Sequence, residues 1–133
     1  MLDVHHFLRG RDHHHYPNLR GKRVLIVEDD PVIAVDYHFQ LKDAGARAEG
    51  FKATNREALS YLGSHEVDAA IVDFLLCDGT GVSIIDGLKT RGIPFIVVSG
   101  SAFRLQGEVD AAHILSKPVA PGEICRLLSE VLH

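Results

Sequence analysis

The chain has 133 residues, of which 46% are hydrophobic and 24% charged, and its formal net charge is −4. This length fits one domain with a buried core and is too short for two domains of ordinary size. No apolar run is long enough to span a bilayer, and charged residues occupy the N-terminal stretch that a secretion signal would need to be apolar. The acidic balance, without a basic block, argues against binding to nucleic acid or to an anionic membrane. We therefore expect a single-domain cytoplasmic protein, in which Cys77 and Cys125 are reduced thiols.

Residues 1–21 differ in composition from the rest of the chain. They lack hydrophobic periodicity and contain five of the nine histidines, namely His5, His6, His13, His14 and His15. Neutral imidazoles bind transition metals, so a metal-binding tail is one interpretation. A mobile leader is the interpretation we favour. We expect a flexible His-rich extension over residues 1–21 and a folded domain over residues 22–133.

Strand and helix patterns alternate from Lys22 onward. Val24–Val27 is a continuous β-branched run, typical of a strand buried on both faces. Asp30 and Pro31 then predict a helix start, and Gly45 predicts its end. The capping-box pattern at Thr54 predicts a second helix, which ends near Gly63. Further strands are expected at residues 47–51, 69–72, 95–98 and 113–115, and further helices at 82–90 and from Pro121 onward.

Five strands that alternate with helices predict a parallel α/β sheet with helices on both faces and right-handed crossovers. The stretch from Gly100 to Ala112 is weakly patterned, so any helix there should be short or irregular. In such sheets the working site lies beyond the carboxyl ends of the strands. The residues that follow these ends are Glu28, Asp29 and Asp30 after the first strand, Asp73 after the third, Ser99 after the fourth and Lys117 after the fifth.

Several carboxylates in so small a space repel one another unless a cation intervenes. A hard divalent ion fits oxygen ligands, and Mg²⁺ binds through one or two carboxylates together with phosphate oxygens. Lys117 and Ser99 could then contact a phosphoryl group, and Asp73 could accept it covalently. For Asp30 and Asp78, a role as helix cap or solvated loop residue is at least as well supported.

The ordered set of these residues resembles the receiver domain of two-component response regulators over nearly all of residues 22–133. Glu28 and Asp29 match the acidic pair of the family, Asp73 the phosphoacceptor, Ser99 the switch hydroxyl, and Lys117-Pro118 a Lys-Pro pair with a cis peptide bond. The resemblance implies a flavodoxin-like (βα)5 sheet of order 2-1-3-4-5. It also implies that Glu28, Asp29, Asp73 and the backbone carbonyl of Leu75 bind Mg²⁺.

The chain departs from the family pattern in places. Cys77 stands where the family commonly has proline, and Ile114 replaces an aromatic residue before the lysine. The segment between Ser99 and Lys117 is short for a full fourth helix and a strand. Together with the run from Pro94 to Gly100, this is similar to the FAT GUY subfamily of single-domain receivers, although Ser101 replaces its usual aromatic residue.

The resemblance implies a stand-alone receiver that accepts a phosphoryl group on Asp73 from a sensor histidine kinase or a histidine phosphotransfer protein. It would then signal to a downstream protein target or pass phosphate along a relay, and it would not be an enzyme acting on free substrates. A pseudo-receiver that never takes phosphate is the alternative. A phosphatase-type hydrolase is disfavoured, because Leu75 stands where such enzymes carry a second aspartate. The sequence leaves the oligomeric state open, including a dimer.

Overall fold

A computed structural model of the chain describes residues 16–100 and 113–132. A short 3-10 helix, Pro17–Leu19, leads into strand β1 (Val24–Val27) and helix α1 (Pro31–Asp43). Helix α2 (Asn55–Leu62) and strand β2 (Ala69–Asp73) follow. A small hairpin, β3 (Leu75–Leu76) and β4 (Gly79–Thr80), then leads to helix α3 (Val82–Thr90). The chain continues with the elements β5 (Phe95–Ser99), β6 (Ile114–Ser116) and α4 (Glu123–Leu132).

The central sheet is parallel and has the strand order β1-β2-β5-β6. Its residues alternate between two hydrophobic cores, because successive strand side chains point to opposite faces. One core packs α1 and α4 against residues such as Ile26, Ile71 and Ile96. The other packs α2 and α3 against residues such as Val27, Val72 and Val97. Burial on both faces explains why these strands are continuous apolar runs, and it confirms the predicted α/β fold.

The predicted second strand, residues 47–51, is present only as two isolated parallel bridges beside β1. Arg47 pairs with Arg23 and Lys52 pairs with Val27. The segment therefore holds one more residue than the stretch of β1 that it faces, which is the definition of a bulge. Within this segment Gly50 has φ +85°, a left-handed conformation that glycine adopts without strain. The segment occupies the second-strand place in the order 2-1-3-4-5, but the ladder is interrupted.

The helix boundaries follow local chemistry. Asp30 caps α1 by accepting hydrogen bonds from the N–H groups of Val32 and Ile33, and Pro31 is the first helical residue, both as predicted. Thr54 caps α2 through the N–H of Glu57. The last helix was expected to start at Pro121 but begins at Glu123, since Gly122 has φ +86° and cannot belong to a right-handed helix. The expected short fourth helix falls on residues 101–112, outside the described residues.

The segment just before β1 packs on the domain rather than extending from it. The Leu19 side chain is fully buried in the core that contains α1 and α4. The Asn18 side chain donates to the Ser129 carbonyl at 2.8 Å and accepts from the Ser129 hydroxyl at 2.6 Å. The predicted boundary at residue 21 is therefore too late, because residues 16–21 belong to the folded unit. The histidines of the expected extension all lie within residues 1–15, outside the described residues.

Within residues 16–100 and 113–132, no helix is both long and apolar enough to cross a membrane.

We expect Leu19→Ala to lower the free energy of unfolding by about 2–5 kcal/mol, because it leaves a cavity in a core that the sheet shares with α1 and α4. Urea denaturation measures this change. The control is Val32→Ala, a truncation of a side chain that is 77% exposed, which should shift stability by no more than about 0.5 kcal/mol. A Leu19→Ala protein as stable as the wild type would show that this segment does not pack as described.

Candidate functional site: an acidic cluster with a lysine

The carboxyl ends of β1, β2 and β5 bring polar side chains to one edge of the sheet. Asp73 is the last residue of β2, and Glu28 directly follows β1. Both are almost completely buried, with 5% and 0% of their surface exposed. Asp29 is partly exposed beside them, and one carboxylate oxygen from each of the three acids lies within 4.8 Å of the others. The three predicted acidic ligands are thus brought together.

Lys117 follows β6 and points into this cluster. Its Nζ lies 3.2 Å from Asp73 Oδ2 and 3.4 Å from Glu28 Oε1. The backbone positions it, because the Lys117 N–H donates to the Ser99 carbonyl at 3.0 Å and so continues the ladder between β5 and β6. The Lys117–Pro118 peptide bond is cis, as the resemblance implied.

Ser99 is buried at the end of β5, the strand next to Asp73. Leu75, whose backbone carbonyl was expected to bind a metal, lies two residues after Asp73 with its side chain 64% exposed. The Leu75 N–H points to Asp73 Oδ1 at 3.4 Å. The predicted residues therefore all lie at one edge of the sheet, and Glu28, Asp29, Asp73 and Lys117 form the cluster itself. The individual chemical roles of these residues stay predictions.

Burial sets the electrostatics of the cluster. It raises the pKa of Glu28 to about 7, assisted by a hydrogen bond shared with Asp73, and these effects exceed the opposing effects of the Asp30 N–H and the Lys117 charge. For Lys117, burial lowers the pKa, but the charges of Asp73 and Glu28 outweigh it, so that the pKa is raised overall. The lysine therefore stays protonated beside Glu28 and Asp73.

The loop after Asp73 contributes a thiol to the site. Cys77 is exposed, and its Sγ donates to Asp29 Oδ2 at 3.3 Å. This hydrogen bond to a carboxylate is the main cause that raises the pKa of Cys77. At Gly81 the loop passes so close to β2 that a Cβ would lie 3.0 Å from Val72 Cγ1 and 3.1 Å from the Asp73 carbonyl oxygen. Only glycine fits there without a shift of the strand that bears Asp73.

Two polar residues near the site, Asn55 and Asp78, were not predicted as parts of it. The Asp78 carboxylate accepts hydrogen bonds from the N–H groups of Asn55 and Arg56, at the start of α2. The Asn55 side chain is buried and contacts both the hairpin and α3. A cap role for Asp78 was anticipated, but the pairing was not, because the two residues are 23 positions apart. The one available signal was the asparagine at the first position of α2. Its side-chain amide has no hydrogen-bond partner within its own helix and therefore needs one from another element.

A metal ion fits this donor set. Three carboxylates with adjacent oxygens suit a hard divalent cation, and a buried pair of acids gains from added positive charge. No soft ligand other than the Cys77 thiol lies against these acids in the described part of the chain. The donors therefore favour a cation of the magnesium type.

The fold and the cluster place the chain among doubly wound α/β domains that carry a polar site at the carboxyl edge of the sheet. A family model described as response regulator receiver domain matches residues 24–129. The chain belongs to the response regulator receiver family, as the resemblance indicated.

Three relatives illustrate the similarity. The phyllosphere-induced regulator PhyR of Methylorubrum extorquens is 31% identical over 114 residues, which are 82% of this chain and 43% of the relative. The virulence transcriptional regulatory protein PhoP of Salmonella choleraesuis is 34% identical over 96 residues, 71% of this chain and 41% of the relative. The crystal structure of anti-anti-sigma factor PhyR from Bartonella quintana has a TM-score of 0.77 at 26% identity and covers 98% of this chain and 56% of that one. The chain thus spans less than half the length of the curated relatives.

The pKa of Glu28 is about 7 in the folded protein, against an ordinary value of 4.5 for a glutamate. We expect the stability of the metal-free protein to fall as the pH rises between these two values. In this range the native state keeps a proton that the unfolded chain releases, so unfolding becomes easier with rising pH. Glu28→Gln should lose this part of the pH dependence, as measured by urea denaturation at a series of pH values in a chelating buffer. Glu66→Gln, at an exposed glutamate paired with Arg23, is the control and should keep the wild-type profile. Parallel profiles for wild type and Glu28→Gln would contradict the expectation.

Proposed function

We propose that the chain accepts a phosphoryl group on Asp73 in a Mg²⁺-dependent reaction. The observation that carries this proposal is the convergence of Lys117, Glu28 and Asp29 on the Asp73 carboxylate. Membership of the receiver family supports the same reaction. The donors are proposed to be a sensor histidine kinase or a histidine phosphotransfer protein.

The residues have distinct parts in the proposed reaction. A carboxylate oxygen of Asp73 attacks the phosphorus of a phosphohistidine, the P–N bond breaks, and the imidazole leaves with the electron pair of that bond. Glu28, Asp29, Asp73 and the Leu75 carbonyl would hold Mg²⁺, which supplies positive charge for the phosphoryl oxygens when it is bound. Lys117 remains beside Asp73 as a second positive charge, and the Ser99 hydroxyl is proposed to donate to a phosphoryl oxygen.

The proposed role is that of a phosphoacceptor protein rather than an enzyme that turns over a free substrate. The Bartonella quintana relative is named an anti-anti-sigma factor. By analogy, we propose that this chain also signals by binding a protein, with phosphorylation changing the population of the binding-competent state. A stand-alone mode of action, a cytoplasmic location and membership of the FAT GUY subfamily stay predictions.

Incubation with acetyl phosphate and Mg²⁺, followed by intact-protein mass spectrometry, tests the proposal. We expect one added phosphoryl group on the wild type and none on Asp73→Asn, since the amide is a far weaker nucleophile than the carboxylate. Addition of EDTA should prevent labelling of the wild type. The matched control is Asp68→Asn, the same change at the amino end of β2, where the carboxylate binds Arg23; this variant should be labelled like the wild type.

The other outcomes identify the competing functions. An unlabelled wild type would favour the pseudo-receiver, and turnover of a free phosphoester without a retained phosphoryl group would favour the hydrolase. Equal labelling of wild type and Asp73→Asn would contradict the assignment of Asp73.

A further inference from the structure

Residues 75–78 form the first part of the hairpin that follows β2. The pairing within this hairpin is short. Strands β3 and β4 pair through only two residues each, Leu75 with Thr80 and Leu76 with Gly79. Leu76 is buried, but Leu75, Cys77, Gly79 and Thr80 are exposed. A ladder of this size contributes little stability by itself. The conformation of this loop must therefore depend on contacts to neighbouring elements.

Asp78 provides such contacts by capping α2 from outside the helix. Its Oδ1 accepts from the Asn55 N–H at 3.0 Å, and its Oδ2 accepts from the Arg56 N–H at 3.2 Å. These N–H groups belong to the first turn of α2, where no intrahelical acceptor exists. The positive end of the helix dipole adds to the attraction. The next N–H, that of Glu57, donates to Thr54 Oγ1 at 3.0 Å, so Thr54 completes the cap through a hydrogen bond within its own segment.

Asn55 extends this link to the hairpin and to α3. Its Nδ2 donates to Asp78 Oδ1 at 3.2 Å and to the Thr80 carbonyl at 2.8 Å. Its Oδ1 accepts from the Ile84 N–H at 3.0 Å. Helix α3 has Gly81 at its N-cap and no side-chain cap from its own segment, so Asn55 supplies that cap from α2. With only 7% of its surface exposed, Asn55 uses every polar atom of its side chain in this arrangement.

The two residues therefore join three elements around the loop that follows Asp73. At one end the loop starts from β2, where the Leu75 N–H faces Asp73 Oδ1. At the other end, Asp78 and Thr80 are held by α2. Between these ends lie the Leu75 carbonyl and the Cys77 thiol, which contacts Asp29.

We infer that Asn55 and Asp78 are positioning residues for the proposed magnesium site, because their hydrogen bonds hold the loop that carries the Leu75 carbonyl, the proposed backbone ligand. This inference rests on the proposed function, which gives that carbonyl its role as a ligand. Neither residue belongs to the acidic cluster of Glu28, Asp29 and Asp73. Their effect is exerted through the backbone between Asp73 and Asp78.

Calorimetric titration of the whole chain with Mg²⁺ tests the inference. Asp78→Ala and Asn55→Ala should each weaken Mg²⁺ affinity by roughly tenfold, as is typical when a group that orients a ligand is removed. Asp78→Asn keeps one acceptor oxygen and should give an intermediate affinity. The matched control is Thr54→Ala, which also removes a cap from α2 and carries a comparable stability cost, but removes none of the hydrogen bonds that Asp78 and Asn55 make to the loop. Its Mg²⁺ affinity should equal that of the wild type.

Amide hydrogen exchange of the metal-free proteins provides a second readout. Exchange at residues 75–77 should accelerate in Asp78→Ala and Asn55→Ala but not in Thr54→Ala. The inference is overturned if Asp78→Ala keeps wild-type affinity and exchange, or if Thr54→Ala loses as much affinity as Asp78→Ala. A wild-type chain that binds no Mg²⁺ and accepts no phosphoryl group would instead contradict the proposed function. In that case the exchange rates still show whether Asn55 and Asp78 hold the loop.

Discussion

The site depends on one interaction, the contact of the Lys117 ammonium with two buried carboxylates. Glu28 and Asp73 lie close together with almost no access to water, and two negative charges in such a place repel each other strongly. Lys117 neutralises part of this charge from a third strand end. The compensation is incomplete, as the raised pKa of Glu28 indicates. The cluster therefore keeps an excess of negative charge. This excess favours the binding of a divalent cation.

The ends of the regular parallel strands position the residues of this interaction. Parallel strands with both faces buried fix the relative heights of their ends, since each register is set by hydrophobic side chains in two cores. Asp73 pairs with Val98 of β5, and Ser99 of β5 pairs with Ser116. The ladder thus sets the end of β6 level with Asp73 on the far side of β5, and the long Lys117 side chain reaches the carboxylate at 3.2 Å.

Most of the sheet and the cluster were predictable, because their signals are local. Apolar runs such as Val24–Val27 mark buried strands, and the acidic and basic residues directly follow them. The N-caps at Asp30 and Thr54 were equally clear. Features that depend on distant partners were missed. Leu19 gives no periodic pattern and is buried only because α4 returns to cover it. The Asn55–Asp78 link joins two caps that each look ordinary in the sequence.

The interrupted segment beside β1 has a consequence for contacts between molecules. A regular outer strand would present a row of free N–H and C=O groups to which another chain could add. Here the extra residue between Arg47 and Lys52 breaks that row, and these two charged residues flank the break. Strand addition from a second molecule is disfavoured on this side, which protects a sheet of very apolar strands from aggregation.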